Sequence, residues 1–191
     1  MKRTILMLFV CMFTCSVFGQ SASLRKAVAH YRTSQGATAT AVRSDHKAAM
    51  KKATTYRGTL KMSKPDDVTI SVNGGKDQLI MNGNTFTMVV KGKRHVTDSR
   101  KNTQFASFQQ VLEYILSGGS RGNLSSLNDL KETDGSSAIT LTITPKSTKR
   151  RSRFSSFVLV VDKHTGALKS LRINQRGKNY TEYTFSNFTF K

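Results

Sequence analysis

The sequence predicts a mainly β fold with helices, one strongly curved antiparallel sheet whose apolar concave face is covered by two helical segments. Three observations carry this. Apolar side chains alternate with period two along successive short segments: Leu60 and Met62, then Val68, Ile70 and Val72, then Phe86, Met88 and Val90. That period marks a half-buried antiparallel sheet. Turn dipeptides fall between those segments, at Asn82-Gly83 and Lys91-Gly92, where hairpins need residues tolerant of positive φ. Two other stretches switch to the helical period and need an apolar surface to cover.

The elements follow in order. Leu24, Ala27, Val28 and Tyr31 recur at helical spacing, with Ser23 as N-cap and Gly36 as the stop. Ala37 to Arg43 alternates small and polar residues as a first strand, and Asp45 to Lys52 is either a helical turn or a basic loop. A strand over Tyr56 to Ser63 meets the turn Lys64-Pro65-Asp66, since Pro65 cannot donate to a ladder. The meander then runs to Asp98. Phe105, Phe108, Leu112, Ile115 and Leu116 share the face of a second helix, with Gln109, Gln110 and Glu113 on its polar side and Gly118-Gly119 as its C-cap. Residues 123–130 offer one helical turn with Leu124 and Leu127 inward.

Strands resume at Ile139, Leu141 and Ile143 and stop at Pro145; Phe157, Leu159 and Val161 follow, then a turn over Asp162 to Gly166. Leu168, Leu171 and Ile173 lead to the turn Arg176-Gly177-Lys178, and Tyr183 and Phe185 lead to an irregularity at Asn187 before Phe188 and Phe190. Lys146 to Arg153 is a basic loop between strands. The count is roughly nine or ten strands with two helices. Such a sheet, lined with Leu, Met, Ile and Phe and capped by apolar helix faces, encloses a cavity with a lid.

The first nineteen residues are set apart. Lys2 and Arg3 precede an apolar run from Ile5 to Phe13, and Val17-Phe18-Gly19 supplies a cleavage site. This is a secretory signal peptide, too short to span a membrane as a helix. It predicts export to the periplasm and a single domain over residues 20–191. Val10 and Thr14 precede Cys11 and Cys15, where a lipid-attachment box wants a small residue, so Cys15 is a poor lipidation site. Both cysteines leave with the leader, and the mature domain carries no disulfide, thiol nucleophile or thiolate metal site. Loss of Lys2 and Arg3 lowers the basic count from 31 to 29 against 11 acidic residues, a net charge of +18. That field favours anionic partners, an anionic membrane surface among them, or simply keeps the protein soluble.

Several function classes fail on placement. Gly118-Gly119-Ser120-Arg121-Gly122 matches a nucleophile motif literally, but it follows a helix and opens a loop, whereas the elbow needs a strand before it and a helix after it. His30, His46, His95 and His164 lack ligand spacing. Asp66-Asp67 would point to opposite faces of a strand. No enzyme, metal or cofactor is expected. Nucleic acid is not expected either, because the Phe residues lie on the apolar face and not beside the cations. The strands are shorter than the ~9–11 residues of membrane barrels, which also have no place for two amphipathic helices.

The pattern Gly58-x-Leu60 to Pro65, Gln78 to Gly83, the helix Phe105 to Gly119, Ile143-Thr144-Pro145-Lys146, and then Leu168-Lys169-Ser170-Leu171, Gly177 and Tyr183-Thr184-Phe185-Ser186-Asn187 resembles the outer-membrane lipoprotein carrier family LolA. The resemblance spans roughly Leu24 to Phe190 in order and spacing. It implies a half-open antiparallel β-barrel with a helical lid over an apolar cavity. The implied activity is to bind the acyl chains of lipoproteins, or other lipids, and move them toward the outer membrane as a monomer. The implied partners are an inner-membrane donor and an outer-membrane acceptor. The pocket is expected at Met62, Ile70, Met81, Phe86, Met88, Phe108, Leu112 and Ile115. Lys64 stands where family members often carry an Arg before the first hairpin's Pro, the lid latch; Lys lacks the forked donor geometry. The family's proteobacterial members continue past the last strand with a Pro-containing tail, and this chain ends at Lys191. The alternative is a non-catalytic envelope interaction module of the same fold, binding a protein, anionic lipid or polymer through its basic surface.

Overall fold

The computed structural model describes residues 22–191 apart from positions 51, 65, 99–102, 122–123, 125–127 and 147–153. The leader with Cys11 and Cys15, Pro65, Leu127 and most of the basic loop before Phe154 therefore lie outside the described residues.

A short helix α1 (Ala22–Val28) runs into a 3-10 turn (Ala29–Arg32). Six strands follow as a meander: β1 (Gly36–His46), β2 (Thr54–Ser63), β3 (Asp67–Val72), β4 (Asp77–Asn82), β5 (Thr85–Val90) and β6 (Lys93–Asp98). Helix α2 (Thr103–Leu116) leads to a second meander of β7 (Asn128–Asp134), β8 (Ala138–Pro145), β9 (Phe154–Asp162), β10 (Leu168–Gln175) and β11 (Tyr180–Phe190). All eleven strands form one antiparallel sheet in the order β6-β5-β4-β3-β2-β1-β11-β10-β9-β8-β7. The sheet is unclosed. Its two wings join where the first and last strands pair, and β6 and β7 are its free edges.

This topology places α2. The chain leaves one free edge at β6 and must reach the other at β7, so the connecting helix lies between the two wings. The turns work as expected: Asn73, Lys91 and Gly83 sit at φ 57, 51 and 50°, the left-handed conformation that hairpin turns need.

The inward rows follow from the register. Met62, Val68, Met81 and Phe86 are successive partners across β2 to β5, and Leu60, Ile70, Leu79 and Met88 form the next row. Ala37, Ala39 and Ala41 occupy the buried face of the central strand β1, and their small size keeps the floor of the concavity low. In the other wing Leu171, Leu159 and Leu141 pair across β10, β9 and β8.

The bulge falls at Asn187. Two β11 residues, Asn187 and Phe188, stand between the partners of Thr38 and Thr40, and Asn187 has φ 52°. The inserted residue changes the parity of the strand. Tyr183 and Phe185 point inward before it, and Phe188 and Phe190 do so after it. Both rings then meet Tyr31 edge-on, with centroids at 6.4 and 4.9 Å, and seat the 3-10 turn on the sheet.

Three local expectations are corrected. Strand β1 does not stop at Arg43 but continues to His46, because Arg43 and Asp45 pair across both neighbouring strands. The end of the 123–130 stretch is not helical: Asn128 to Leu130 begin β7, paired with Pro145 to Ile143. That edge strand reads Asn-Asp-Leu-Lys-Glu-Thr-Asp, too polar to show a period of two. Gln109 is not on a solvent face. It is 6% exposed, because α2 is enclosed by both wings and has buried residues around most of its circumference.

Candidate functional site

The apolar interior is the contact between α2 and the two wings. Met62, Ile70, Met81 and Phe86 from the sheet are buried in one cluster with Phe108, Leu112 and Ile115 from α2; Met88 packs against it, half-buried. Aromatic rings join the parts. Phe105 stacks on Phe86 at 4.0 Å and meets Phe154 edge-on at 6.0 Å. Phe108 meets Phe86 at 6.4 Å and stacks on Phe157 at 5.0 Å. One helix thus contacts β5 in the first wing and β9 in the second. Its buried side chains pack into the concavity.

Beside this contact lies a cavity of about 90 Å³ lined in part by Leu79, Met88, Phe154, Ile173, Arg43 and Tyr183. That is the space of about three waters at ~30 Å³ each. Its rim is charged. The Arg43 guanidinium pairs with Asp45 at 2.8 Å and Asp77 at 3.6 Å, and lies 5.8 Å from the Tyr56 ring centroid. Burial works against ionisation of Asp77. The Lys91 amide at 2.7 Å, the Asn73 side-chain amide at 3.0 Å and the charge of Arg43 outweigh it and hold this carboxyl below its usual range. Burial pushes the Tyr183 hydroxyl up to about 12, against the pull of Arg43.

A second, polar contact closes the helices over this interior. Lys64 Nζ donates to the Arg32 carbonyl at 2.8 Å, and the Lys64 amide donates to the Gln35 carbonyl at 3.1 Å. Arg32 Nε in turn donates to the Gly118 carbonyl at 2.9 Å. Lys64 at the end of β2, the 3-10 turn and the end of α2 are therefore joined in series. The α2 end supplies this carbonyl through a Schellman cap. The Gly119 amide bonds the Tyr114 carbonyl and the Gly118 amide bonds the Ile115 carbonyl, both at 2.9 Å. Gly118 has φ +63°, and a Cβ there would stand 2.3 Å from Arg32 Cγ, so the left-handed cap also lets the turn approach. Ser120 Oγ completes the cap by donating to the Ser117 carbonyl at 2.8 Å. Further along α2, Gln109 donates to the Gly83 carbonyl of the β4–β5 turn and to Glu113 at 2.9 Å.

Sequence patterns had pointed to Lys64 and the Gly-Gly cap but not to Arg32, Gln109, or the Arg43–Asp77 pair. Arg32 and Gln109 sit at polar positions of helical segments, and only the fold over them gives them partners. Arg43 and Asp77 lie on the inward parity of β1 and β4, a local signal that a charged side chain masks. Among the described residues no helix is long and apolar enough to cross a membrane, and no cluster of His, Cys, Asp and Glu could hold a metal.

The family model described as outer membrane lipoprotein carrier protein LolA matches residues 32–191. Among solved structures, the chain is similar to a DUF1329 family protein from Desulfovibrio piger at 17% identity and TM-score 0.45, covering 89% of this chain and 92% of that one. It is similar to a LolA superfamily protein from Nitrosomonas europaea at 9% identity and TM-score 0.39, covering 88% and 92%. It is also similar to the lipoprotein LppX of Mycobacterium tuberculosis at 12% identity and TM-score 0.37, covering 87% and 93%. Comparison with curated proteins gives no match.

Proposed function

The chain belongs to the LolA family of outer membrane lipoprotein carrier proteins, and we propose that it is a non-catalytic periplasmic carrier. It binds the acyl chains of lipoproteins, or other lipids, inside the curved sheet and carries them toward the outer membrane. Export by the N-terminal leader, a monomeric state, and exchange with a donor at the inner membrane and an acceptor at the outer membrane belong to the same proposal.

The observation that carries it is how α2 is held. Along its body the helix contacts the sheet through interchangeable apolar groups: Phe105, Phe108, Leu112 and Ile115 against Phe86, Phe154 and Phe157. An acyl chain offers the same surface. Each methylene taken out of water is worth ~0.8 kcal/mol, so cargo replaces what the displaced helix gives up. Met62, Ile70, Met81 and Phe86 are buried in one cluster with Phe108, Leu112 and Ile115, so an acyl chain reaches them when α2 or the 3-10 turn moves. Polar bonds at Lys64, Arg32 and Gln109 resist this movement. Met62, Met81 and Met88 give the sheet wall flexible side chains that can refit to a bound chain.

Native mass spectrometry of the exported protein, with titration of a fluorescent fatty-acid probe and a triacylated peptide, tests this. We expect lipid in the purified protein or saturable uptake of about one probe per chain. Absence of both, with salt-sensitive binding to anionic vesicles instead, would replace the carrier by an interaction module of the same fold.

A further inference from the structure

The seam between the two helical segments also holds a basic pocket that acyl-chain binding does not use. It has a volume of about 260 Å³ and is lined by Arg32, Lys64, Leu116, Ser117, Ser120 and Arg121. Among the described residues, three cations line it and no carboxylate does. They come from three places in the chain: the end of the 3-10 turn, the end of β2, and the segment after α2.

Cations near helix C-termini commonly offset the negative end of the helix dipole. That role leaves most of these donors unused. The α2 end is already capped by the Gly118 and Gly119 amides, Arg32 Nε and Ser120 Oγ. Ser117 Oγ donates to the Tyr114 carbonyl and accepts from the Arg121 amide, so neither serine proton is available to a ligand. The cations differ. Lys64 uses one of its three N–H groups on the Arg32 carbonyl, and Arg32 uses one of its five on Gly118. The Arg121 guanidinium has no ion-pair partner among the described residues. Three positive groups converging without a counter-charge repel one another, and an anion relieves that repulsion while taking forked bonds from arginine.

We propose that this pocket binds a phosphate-type oxyanion, free or as the phosphodiester of a lipid head group, through Arg32, Lys64 and Arg121. A pocket of about 260 Å³, room for roughly nine waters at ~30 Å³ each, holds a tetrahedral oxyanion with space for one substituent. Each cation donates N–H groups it does not use in the closed state. Bound anion therefore adds links between β2, the 3-10 turn and the α2 end without breaking the existing ones, and it clamps the helices shut. The clamping consequence rests on the carrier reading; the anion site does not.

The test titrates inorganic phosphate into the full exported chain at ionic strength held constant with sodium chloride, followed by calorimetry and thermal melting. We expect one saturable site and a rise in Tm with phosphate. Arg121→Gln should weaken binding about tenfold or more, the loss of one charge-assisted bond, with Tm in chloride unchanged. Lys93→Gln, on the edge strand β6, should leave affinity unchanged. Binding that does not saturate, or that falls equally with Arg121→Gln and Lys93→Gln, overturns the site in favour of delocalised charge. A second arm uses short-chain phosphatidylglycerol below its micelle concentration. Competition with inorganic phosphate supports one site for either source, whereas binding to phosphatidylglycerol vesicles without any phosphate binding overturns it. Amide exchange tests the clamp: phosphate should slow exchange in the 3-10 turn and the last turn of α2 in the parent chain but not in Arg121→Gln, and equal exchange with and without phosphate overturns the clamp. Fatty-acid probe uptake, measured in parallel, separates the two proposals. Phosphate binding without probe uptake supports the anion site and removes the carrier.

Discussion

Helix α2 meets the rest of the protein at two unlike seams. Along its body the contact is mainly apolar and made through rings, Phe105 and Phe108 against Phe86, Phe154 and Phe157, with a polar bond from Gln109 to the Gly83 carbonyl. At its C-terminal end the contact is polar, a series from Lys64 to the Arg32 carbonyl and from Arg32 to the Gly118 carbonyl. The first seam stabilises through area and shape, and any apolar surface of similar size can substitute for the helix. The second depends on particular donors and acceptors, sits partly in water, and contributes little to equilibrium stability. A carrier needs both properties: an interior that accepts a generic greasy chain, and a closure weak enough to be released by another molecule.

The comparison can be broken at each seam. Phe108→Ala should have the largest effect, because its ring contacts both wings from a buried position. Truncating a core Phe costs ~3–5 kcal/mol, and urea unfolding should show it; a loss below ~1 kcal/mol would mean that the helix body is not held by packing. Gly118→Ala comes next. The residue has φ +63° and close contact with Arg32, and a left-handed non-glycine residue costs ~1–2 kcal/mol. We expect that loss together with faster amide exchange in the 3-10 turn, and a neutral result would separate the turn from the α2 cap.

Acid should act on charged sites and spare the apolar seam. Despite burial, Asp77 is held below the usual carboxylate range by its hydrogen bonds and Arg43. Asp162 is lowered by Lys169 first, then by the Thr165 amide. A depressed carboxyl stabilises the fold above its unfolded pKa of ~3.9, and that contribution is lost as pH falls from there toward the folded value. Denaturation midpoints should therefore hold above that point and decline below it, less steeply in Asp77→Asn. An identical slope in the variant would deny Asp77 this role. The smallest equilibrium effect belongs to Lys64→Ala, ~0.5–1 kcal/mol for one exposed hydrogen bond. Its larger signature should be kinetic, with faster probe uptake and faster exchange at Arg32 to Gln35, while Lys64→Arg keeps the closure because either cation reaches the same carbonyl. Uptake unchanged in Lys64→Ala would exclude this seam as the latch.

Much of the architecture was legible because its signals are local. Period-two alternation in β2, β3, β8 and β9 reports which face of each strand is buried, and Gly118-Gly119 announces the cap that the structure forms. The irregularity at Asn187 was readable because Phe185 and Phe188 differ in parity. Strand β7 was not, since an edge strand needs apolar residues on one face only, and this one supplies Leu130 followed by Glu132 and Asp134 on that face. Gln109 misled for a related reason. A polar side chain at a helical position normally marks solvent, but here it marks a partner, the Gly83 carbonyl on the opposing hairpin.

By itself the sequence determined the class of fold, most of the inward-facing apolar residues, the turns and the family pattern, because burial periodicity and turn chemistry are fixed within a few residues. The tertiary structure decided what those residues enclose. Pairing of β1 with β11 leaves the free edges at β6 and β7, and the chain between those edges must cross the concavity. That long-range constraint packs α2 against both wings of its own sheet, sets a cavity of about 90 Å³ beside it, and gathers Lys64, Arg32 and Arg121 at one seam. No local pattern encodes it, because each of those contacts joins residues that meet only once the two wings have formed.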